Sequence, residues 1–300
     1  MPFRIPAIAL VLALLSGSGS AQTAGLQRAV NDGLRVRGGS IVVLDVASSN
    51  ILAARNLAGA AMRVVRPGSA VKPFTLLALL ASGSVDPEVR FHCRRNLRVG
   101  SHTLDCGHPI VAAGLDAVSA LAYSCNDYFA TSALRLRPVQ LQQAFLKAGL
   151  AGPSGLRAQE ARGYVGLSAD EDELQLQAIG AENIRTTPLA LLKAYRDLAL
   201  RRRNAAADPA YRTVFAGLEA ATEYGTGRLA QPAGALKVAG KTGTARADEG
   251  HWTHGWFAGF APADHPQIVL VVFLEHGTGP ADAAPVAGRI FAAYAAGAHP

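Results

Sequence analysis

Apolar and polar positions divide this chain into strand-like ends and a helical middle. Leu26, Val30 and Leu34 recur at one-turn spacing and predict a helix within 24–37, which Gly38 and Gly39 end. Residues 40–45 and 50–54 follow as two short apolar arms joined by a polar turn, a hairpin with β-branched residues in its first arm. Residues 56–65 read only as a connecting segment. Residues 74–81 are apolar on all sides, which predicts a buried helix rather than a surface one. Further helices are expected over 110–121, 126–134 and 139–148, whereas 174–179 alternates and leads to Gly180. Thr187 and Pro188 open another helix, with Leu189, Leu192, Tyr195 and Leu198 on one side. A mixed helical stretch over 208–224 precedes a return to strand-like runs at 235–244, 252–260 and 268–274. An Ala/Val-rich helix over 284–296 closes the chain. Strands at both ends with helices between predict a mixed α/β, α+β fold whose sheet joins distant halves of the chain. No repeat or linker divides it, so 22–300 is expected to be a single domain.

Composition agrees with a sizeable core. Half of the 300 residues are apolar, 17% are charged and the mean hydropathy is +0.18, which excludes a largely disordered chain. The net charge of +7 comes from scattered arginines, densest at 201–203, and aromatics make up only 6%. A basic stripe with stacking aromatics is missing, so no nucleic-acid partner is expected. Residues 1–21 have the layout of a secretory signal: Arg4, an eleven-residue apolar core over 5–15, and the small residues Gly19, Ser20 and Ala21. The core is short for a membrane span, which makes an uncleaved anchor the less favoured alternative.

Secretion changes the reading of the cysteines. Cys93 and Cys106 flank a polar segment and are expected to pair in an oxidising compartment, leaving Cys125 free. Unpaired thiols are one alternative. A metal site is another, because His92, Cys93, His102, Cys106 and His108 fall within seventeen residues. Their spacing lacks the close cysteine pair of ordinary zinc frames, so neither metal nor cofactor is expected.

Three polar clusters interrupt apolar surroundings. Ser69 and Lys72 follow the turn formed by Pro67 and Gly68, and their i, i+3 spacing puts both on one helix face. That pair is the minimum for a serine nucleophile activated by a lysine. Ser124 and Asn126 form the second cluster, and Lys241, Thr242, Gly243 and Thr244 the third. Acyl transfer needs a nucleophile, a base, a proton path, an oxyanion site and a substrate anchor, which these clusters can supply together. Each also has a plainer reading: Ser69 or Ser124 as a helix cap, the lysines as surface charges, the threonines as strand residues. Cys125 has no histidine placed to activate it and is set aside as a nucleophile. Trp252 and Trp256 are expected to pack on one sheet face.

Ser69-x-x-Lys72, Ser124-Cys125-Asn126 and Lys241-Thr242-Gly243 resemble, in order, the three motifs of the serine penicillin-recognising enzymes. The context of residues 67–75, 123–129, 187–190, 238–245 and 255–262 is similar to that of penicillin-binding protein transpeptidase domains. The resemblance implies a β-lactamase/transpeptidase-like fold, with a five-stranded antiparallel sheet flanked by helices, an all-helical subdomain, and the Lys241 motif on an edge-facing strand. It implies Ser69 as nucleophile, Lys72 as base, Ser124 as proton relay and Lys241 as the charge tuning that relay. Asn126 would bind the acyl donor's side-chain amide, Thr242, Gly243 and Thr244 the substrate's end, and the Ser69 and Thr244 N–H groups the oxyanion.

The activity implied is D,D-transpeptidation of D-Ala-D-Ala stem peptides of peptidoglycan in the periplasm. β-Lactams would be covalent inhibitors, and separate cell-wall synthesis proteins would be partners. D,D-carboxypeptidase or endopeptidase, β-lactamase and non-turnover sensor are the alternatives. For one β-lactamase class a loop glutamate would need asparagine four residues on, but Glu160 is followed there by Tyr164. The usual N-terminal pedestal and glycosyltransferase domain are not seen, and Gly180, Ala181 and Glu182 stand where the family usually has Gly-Gln-Gly.

Overall fold

The computed structural model describes residues 23–35 and 37–298; the expected signal at 1–21 lies outside them. Helix α1 (23–33) leads into β1 (Gly39–Asp45) and β2 (Ile51–Arg55), the expected hairpin, followed by the short α2 (Leu57–Met62). Asn56 starts α2, in the left-handed region (φ 55°), by accepting the Gly59 N–H. This helix was not expected, because its six residues, with Gly59 among them, are too few to show a helical period. The last third supplies β7 (numbered after four short strands given below; Ala239–Arg246), β8 (Thr253–Ala261) and β9 (Ile268–Leu274), then α10 (Ala284–Ala298). Together they make one antiparallel sheet in the order β2-β1-β9-β8-β7, joining the two ends of the chain as expected.

Helices cover both faces of this sheet, and the strands record it. In β9, Val269, Val271 and Phe273 enter the larger core, while Ile268, Leu270, Val272 and Leu274 enter the smaller core with α1 and α10. β1 alternates the same way, with Val42 and Leu44 on one side and Ile41 and Val43 on the other. Two covered faces explain why both strands are almost wholly apolar.

The middle of the chain forms the helical part: α3 (Lys72–Ala81), α4 (Ala117–Ala122), α5 (Asn126–Ala133), α6 (Pro138–Lys147), α7 (Glu171–Ala178), α8 (Pro188–Arg201) and α9 (Pro209–Glu223). Between them lie two small hairpins, β3–β4 (Arg98–Val99, His102–Thr103) and β5–β6 (Tyr164–Val165, Ile184–Arg185). α3 is the expected core helix, with Leu76 and Leu79 fully buried. Two expectations need correction. The helix expected over 110–121 begins only at Asp116, whose carboxylate accepts the Ser119 N–H; Gly114 at φ 76° keeps the preceding residues in a loop. The alternating stretch 174–179 belongs to α7, opened by Asp170 accepting the Glu173 N–H, with Glu171, Asp172 and Glu173 at the positive end of the helix dipole.

Candidate active site

The turn carrying Ser69 is held by backbone contacts and buried side chains. Gly68–Val71 is a 3₁₀ turn running into α3, and in such a turn residues three apart eclipse, which aligns Ser69 with Lys72. Gly68 has φ 53°, and a Cβ there would sit 2.4 Å from the Thr244 carbonyl oxygen. Its N–H donates to the Gly180 carbonyl (3.0 Å), and Gly180, at φ 75°, leaves no room for a Cβ against the Gly68 oxygen (2.2 Å). Tyr195 OH donates to the Ala70 carbonyl (2.8 Å) and Trp256 Nε1 to the Arg66 carbonyl (3.1 Å). Trp256 is fully buried as packing, as expected. Trp252 lies just before β8 and is 38% exposed, its ring tilted against that of His276. Gly68→Ala is expected to cost about 1–3 kcal/mol through backbone strain and collision, read as a lowered melting temperature.

Ser69, Ser124, Asn126, Thr242 and Thr244 line one cleft of about 910 Å³. Lys72 and Lys241 lie beneath it, fully buried. Lys72 Nζ donates to the Ser124 carbonyl (2.7 Å), Ser124 Oγ (3.3 Å) and Asn126 Oδ1 (2.7 Å), with the Phe129 ring 5.3 Å away. Burial pushes Lys72 down to about 8, against the opposing influence of Cys125 and Cys106. Lys241 Nζ donates to the Thr242 carbonyl (3.0 Å); burial first, then the Lys72 charge, push it well below the ordinary lysine range. Two ammonium groups under one cleft favour a neutral amine on at least one of them.

Ser124 sits in the left-handed region (φ 58°), which the sequence did not signal. Cys125, not Ser124, caps α5, its sulfur accepting the Tyr128 N–H (3.4 Å). The Ser124 hydroxyl therefore stays with Lys72 rather than with the helix end. On β7, the edge strand, Thr242, Thr244 and Arg246 fall on one face and all border the cleft. Thr244 Oγ1 accepts the Gly279 N–H (3.0 Å), and Gly243 fits closely against the Pro67 carbonyl.

Thr226 was missed by sequence reading: its hydroxyl accepts from Thr242 Oγ1 (2.7 Å). Its one signal was a polar residue between Gly225 and Gly227. Residues 101–109, within the polar segment read for its cysteines and histidines and not as part of the cleft, line its other side. At the rim Glu182 is bound by Arg66 (2.9 Å), and Arg66 also pairs with Asp248. The charge at that departure from the family pattern is thereby neutralised beside the Ser69 turn. Glu160 is engaged in its own loop. Burial raises its carboxyl, but N–H groups of Arg157 and Ser154 outweigh that and hold it below the usual range.

The expected Cys93–Cys106 disulfide is not formed. All three cysteines are free thiols, and Cys106 Sγ lies 3.8 Å from Cys125 Sγ, so folding adds a sulfur neighbour that the sequence spacing of Cys106 does not suggest. The hydrogen bond with Cys125 lowers Cys106 to about 5 and raises Cys125.

Residues 39–295 match the profile of the penicillin binding protein transpeptidase domain. The chain belongs to that family. Among relatives of this transpeptidase domain, the probable peptidoglycan D,D-transpeptidase PbpC of Pseudomonas aeruginosa is 29% identical over 243 residues, covering 71% of this chain and 41% of the relative. The probable peptidoglycan D,D-transpeptidase PenA of Neisseria flavescens is 25% identical, covering 81% and 70%. The chain thus spans about two fifths of the first relative's length and about two thirds of the second's. The fold is shared with Pseudomonas aeruginosa PBP2, solved in complex with WCK 5153, at a TM-score of 0.77 and 24% identity, covering 90% of this chain and 76% of that one. It is likewise shared with Helicobacter pylori PBP2 in its complex with MreC (TM-score 0.77, 18% identity, 88% and 61% covered). The transpeptidase-like sheet and helical subdomain, with the Lys241 motif on the edge strand, are as the resemblance implied. No helix among the described residues is long and apolar enough to cross a membrane.

Proposed function

We propose that this transpeptidase domain acylates Ser69 with the D-Ala-D-Ala end of peptidoglycan stem peptides and passes the acyl group to an amine. The observation that carries the reading is the convergence of Ser69, Ser124, Asn126, Thr242 and Thr244 in one cleft over two buried lysines.

Ser69 Oγ attacks the carbonyl carbon between the two D-alanines while its proton passes to the neutral Lys72 amine. The Ser69 and Thr244 N–H groups take the charge that develops on the carbonyl oxygen. When the C–N bond breaks, the departing D-alanine amine receives the proton through Ser124 Oγ, 3.3 Å from Lys72 Nζ. Lys241 favours the required direction of that transfer by its field. An acceptor amine then attacks the ester, loses a proton along the same path and returns Ser69 to its hydroxyl form. Thr242, held by Thr226, and Thr244 bind the terminal carboxylate, with Gly243 allowing close approach. Asn126 binds the donor's amide, its Oδ1 already oriented by Lys72. β-Lactams would acylate Ser69 by the same attack, and peptidoglycan in the periplasm is the substrate this reading requires.

The deciding assay incubates purified protein with a peptide ending in D-Ala-D-Ala and an amine acceptor. The expected result is D-alanine release matched by transfer product. Release without transfer would make the enzyme a D,D-carboxypeptidase, and the absence of both would refute the reading.

A further inference from the structure

Next to the Ser124 motif the fold gathers four side chains that the proposed chemistry leaves unused. The Sγ atoms of Cys93, Cys106 and Cys125 and one imidazole nitrogen of His108 all lie within 4.8 Å of one another. The sequence reading set a metal aside because the spacing over 92–108 lacks a close cysteine pair, and it did not include Cys125. His92 and His102, which it considered, are not part of the group.

Geometry and donor chemistry agree. Zinc–sulfur bonds of about 2.3 Å in a tetrahedron separate two sulfurs by about 3.8 Å. Cys106 Sγ and Cys125 Sγ are 3.8 Å apart. His108 Nδ1–H donates to the Pro109 carbonyl (2.7 Å), which leaves the lone pair on Nε2. The residue is only 8% exposed, and its Nε2 is buried without a hydrogen-bond partner. An orphaned buried acceptor is unfavourable and wants a partner. Here the sulfurs beside it cannot fill that role as well as a cation can.

The surroundings suit thiolate ligands. The Arg95 N–H reaches Cys93 Sγ (3.3 Å) and the Tyr128 N–H reaches Cys125 Sγ (3.4 Å), donors of the kind that support metal-bound sulfur. Arg94, next to Cys93, donates its backbone N–H to Asp127 Oδ2 (2.7 Å), and that carboxylate is fully buried two residues from Cys125. This clamp holds the Cys93 loop on α5 whether or not metal is bound. A cavity of about 250 Å³ bordered by Cys93 and His108 provides a path in.

We propose that Cys93, Cys106, His108 and Cys125 bind one zinc ion as a four-coordinate structural site. Four protein ligands leave no open position, so this metal takes no part in acyl transfer. Its effect is positional. Cys125 lies between Ser124 and Asn126, while Cys106 and His108 belong to the segment lining the opposite side of the cleft. One ion would tie that wall to the Ser124 motif.

Elemental analysis of the full chain, purified under reducing conditions without chelator, is expected to give about one zinc per chain. Replacement by cobalt should give thiolate-to-cobalt charge-transfer absorption. Cys93→Ser, at a half-buried position that tolerates the change, and His108→Ala should each weaken metal binding at least about tenfold. Chelation should lower the melting temperature of the wild type and leave that of Cys93→Ser unmoved. The proposal is overturned if folded wild type dialysed against zinc takes up none, or no more than the variant carrying both Cys93→Ser and His108→Ala. Recovery of Cys106 and Cys125 as a disulfide in folded protein would overturn it equally. All of these readouts are independent of peptide or penicillin turnover, so they stand or fall separately from the proposed function.

Discussion

Ser69→Ala protein is expected to stay folded and to lose covalent labelling by penicillin entirely. Alanine fits the half-buried position and keeps the 3₁₀ turn, whose hold comes from Tyr195, Trp256 and Gly180 rather than from the serine hydroxyl. What disappears is the only oxygen that the proposed route can acylate. D-Alanine release should fall by at least about 10³-fold, with any remainder coming from substrate positioning. Gel fluorescence with a labelled penicillin, alongside a melting curve, reads both quantities. Labelling that survives in the folded variant would remove Ser69 from its proposed role.

Lys72→Met is expected to slow acylation by about 10²–10⁴-fold, the range typical of losing a positioned general base. Methionine matches the length of the buried lysine, but it leaves the Ser124 carbonyl and Asn126 Oδ1 without their donor. A stability loss of about 1–3 kcal/mol follows from those unpaired groups. The pH profile separates the catalytic effect from the structural one. Lys72 acts as a base only when neutral, and burial places its titration at about 8. Wild-type acylation should therefore rise with pH, about tenfold per unit below that point, and level off above it. The variant should lose this limb. A wild-type rate that is flat between pH 6 and 9, a range of about three units around the expected midpoint, would contradict the assignment.

Strand and helix periodicity carried much of the fold into the sequence. β9 was legible because two covered faces demand an unbroken apolar run, and α8 because Thr187 and Pro188 mark its start so clearly. α7 escaped because three of its apolar positions, Leu174, Leu176 and Ala178, mimic alternation, and only the cap at Asp170 reveals a helix. The three polar clusters of the cleft were legible for a chemical reason: their spacing is local, within one turn or one strand. Thr226, the wall at 101–109 and the Cys125 partnership were not, since each depends on segments that folding brings together. The cysteine reading was incomplete for the same reason. Sequence spacing identifies which cysteines are close along the chain, whereas a further sulfur neighbour of Cys106, Cys125, is supplied by the start of α5.

The Ser69 turn rests directly on β7, backbone against backbone, with Gly68 facing the Thr244 carbonyl and Gly243 facing that of Pro67. Nothing synthesised before residue 239 can substitute for that support, and Gly279 must also be present to hold Thr244. During vectorial synthesis or export the nucleophile would therefore wait, incompletely framed, until almost the whole chain had emerged. Pairing of β1 with β9 has the same long reach and adds to a high-contact-order, slow closing step. Catalytic competence is then an event at the end of folding, and penicillin labelling during refolding should appear only after the helical middle has gained its secondary structure.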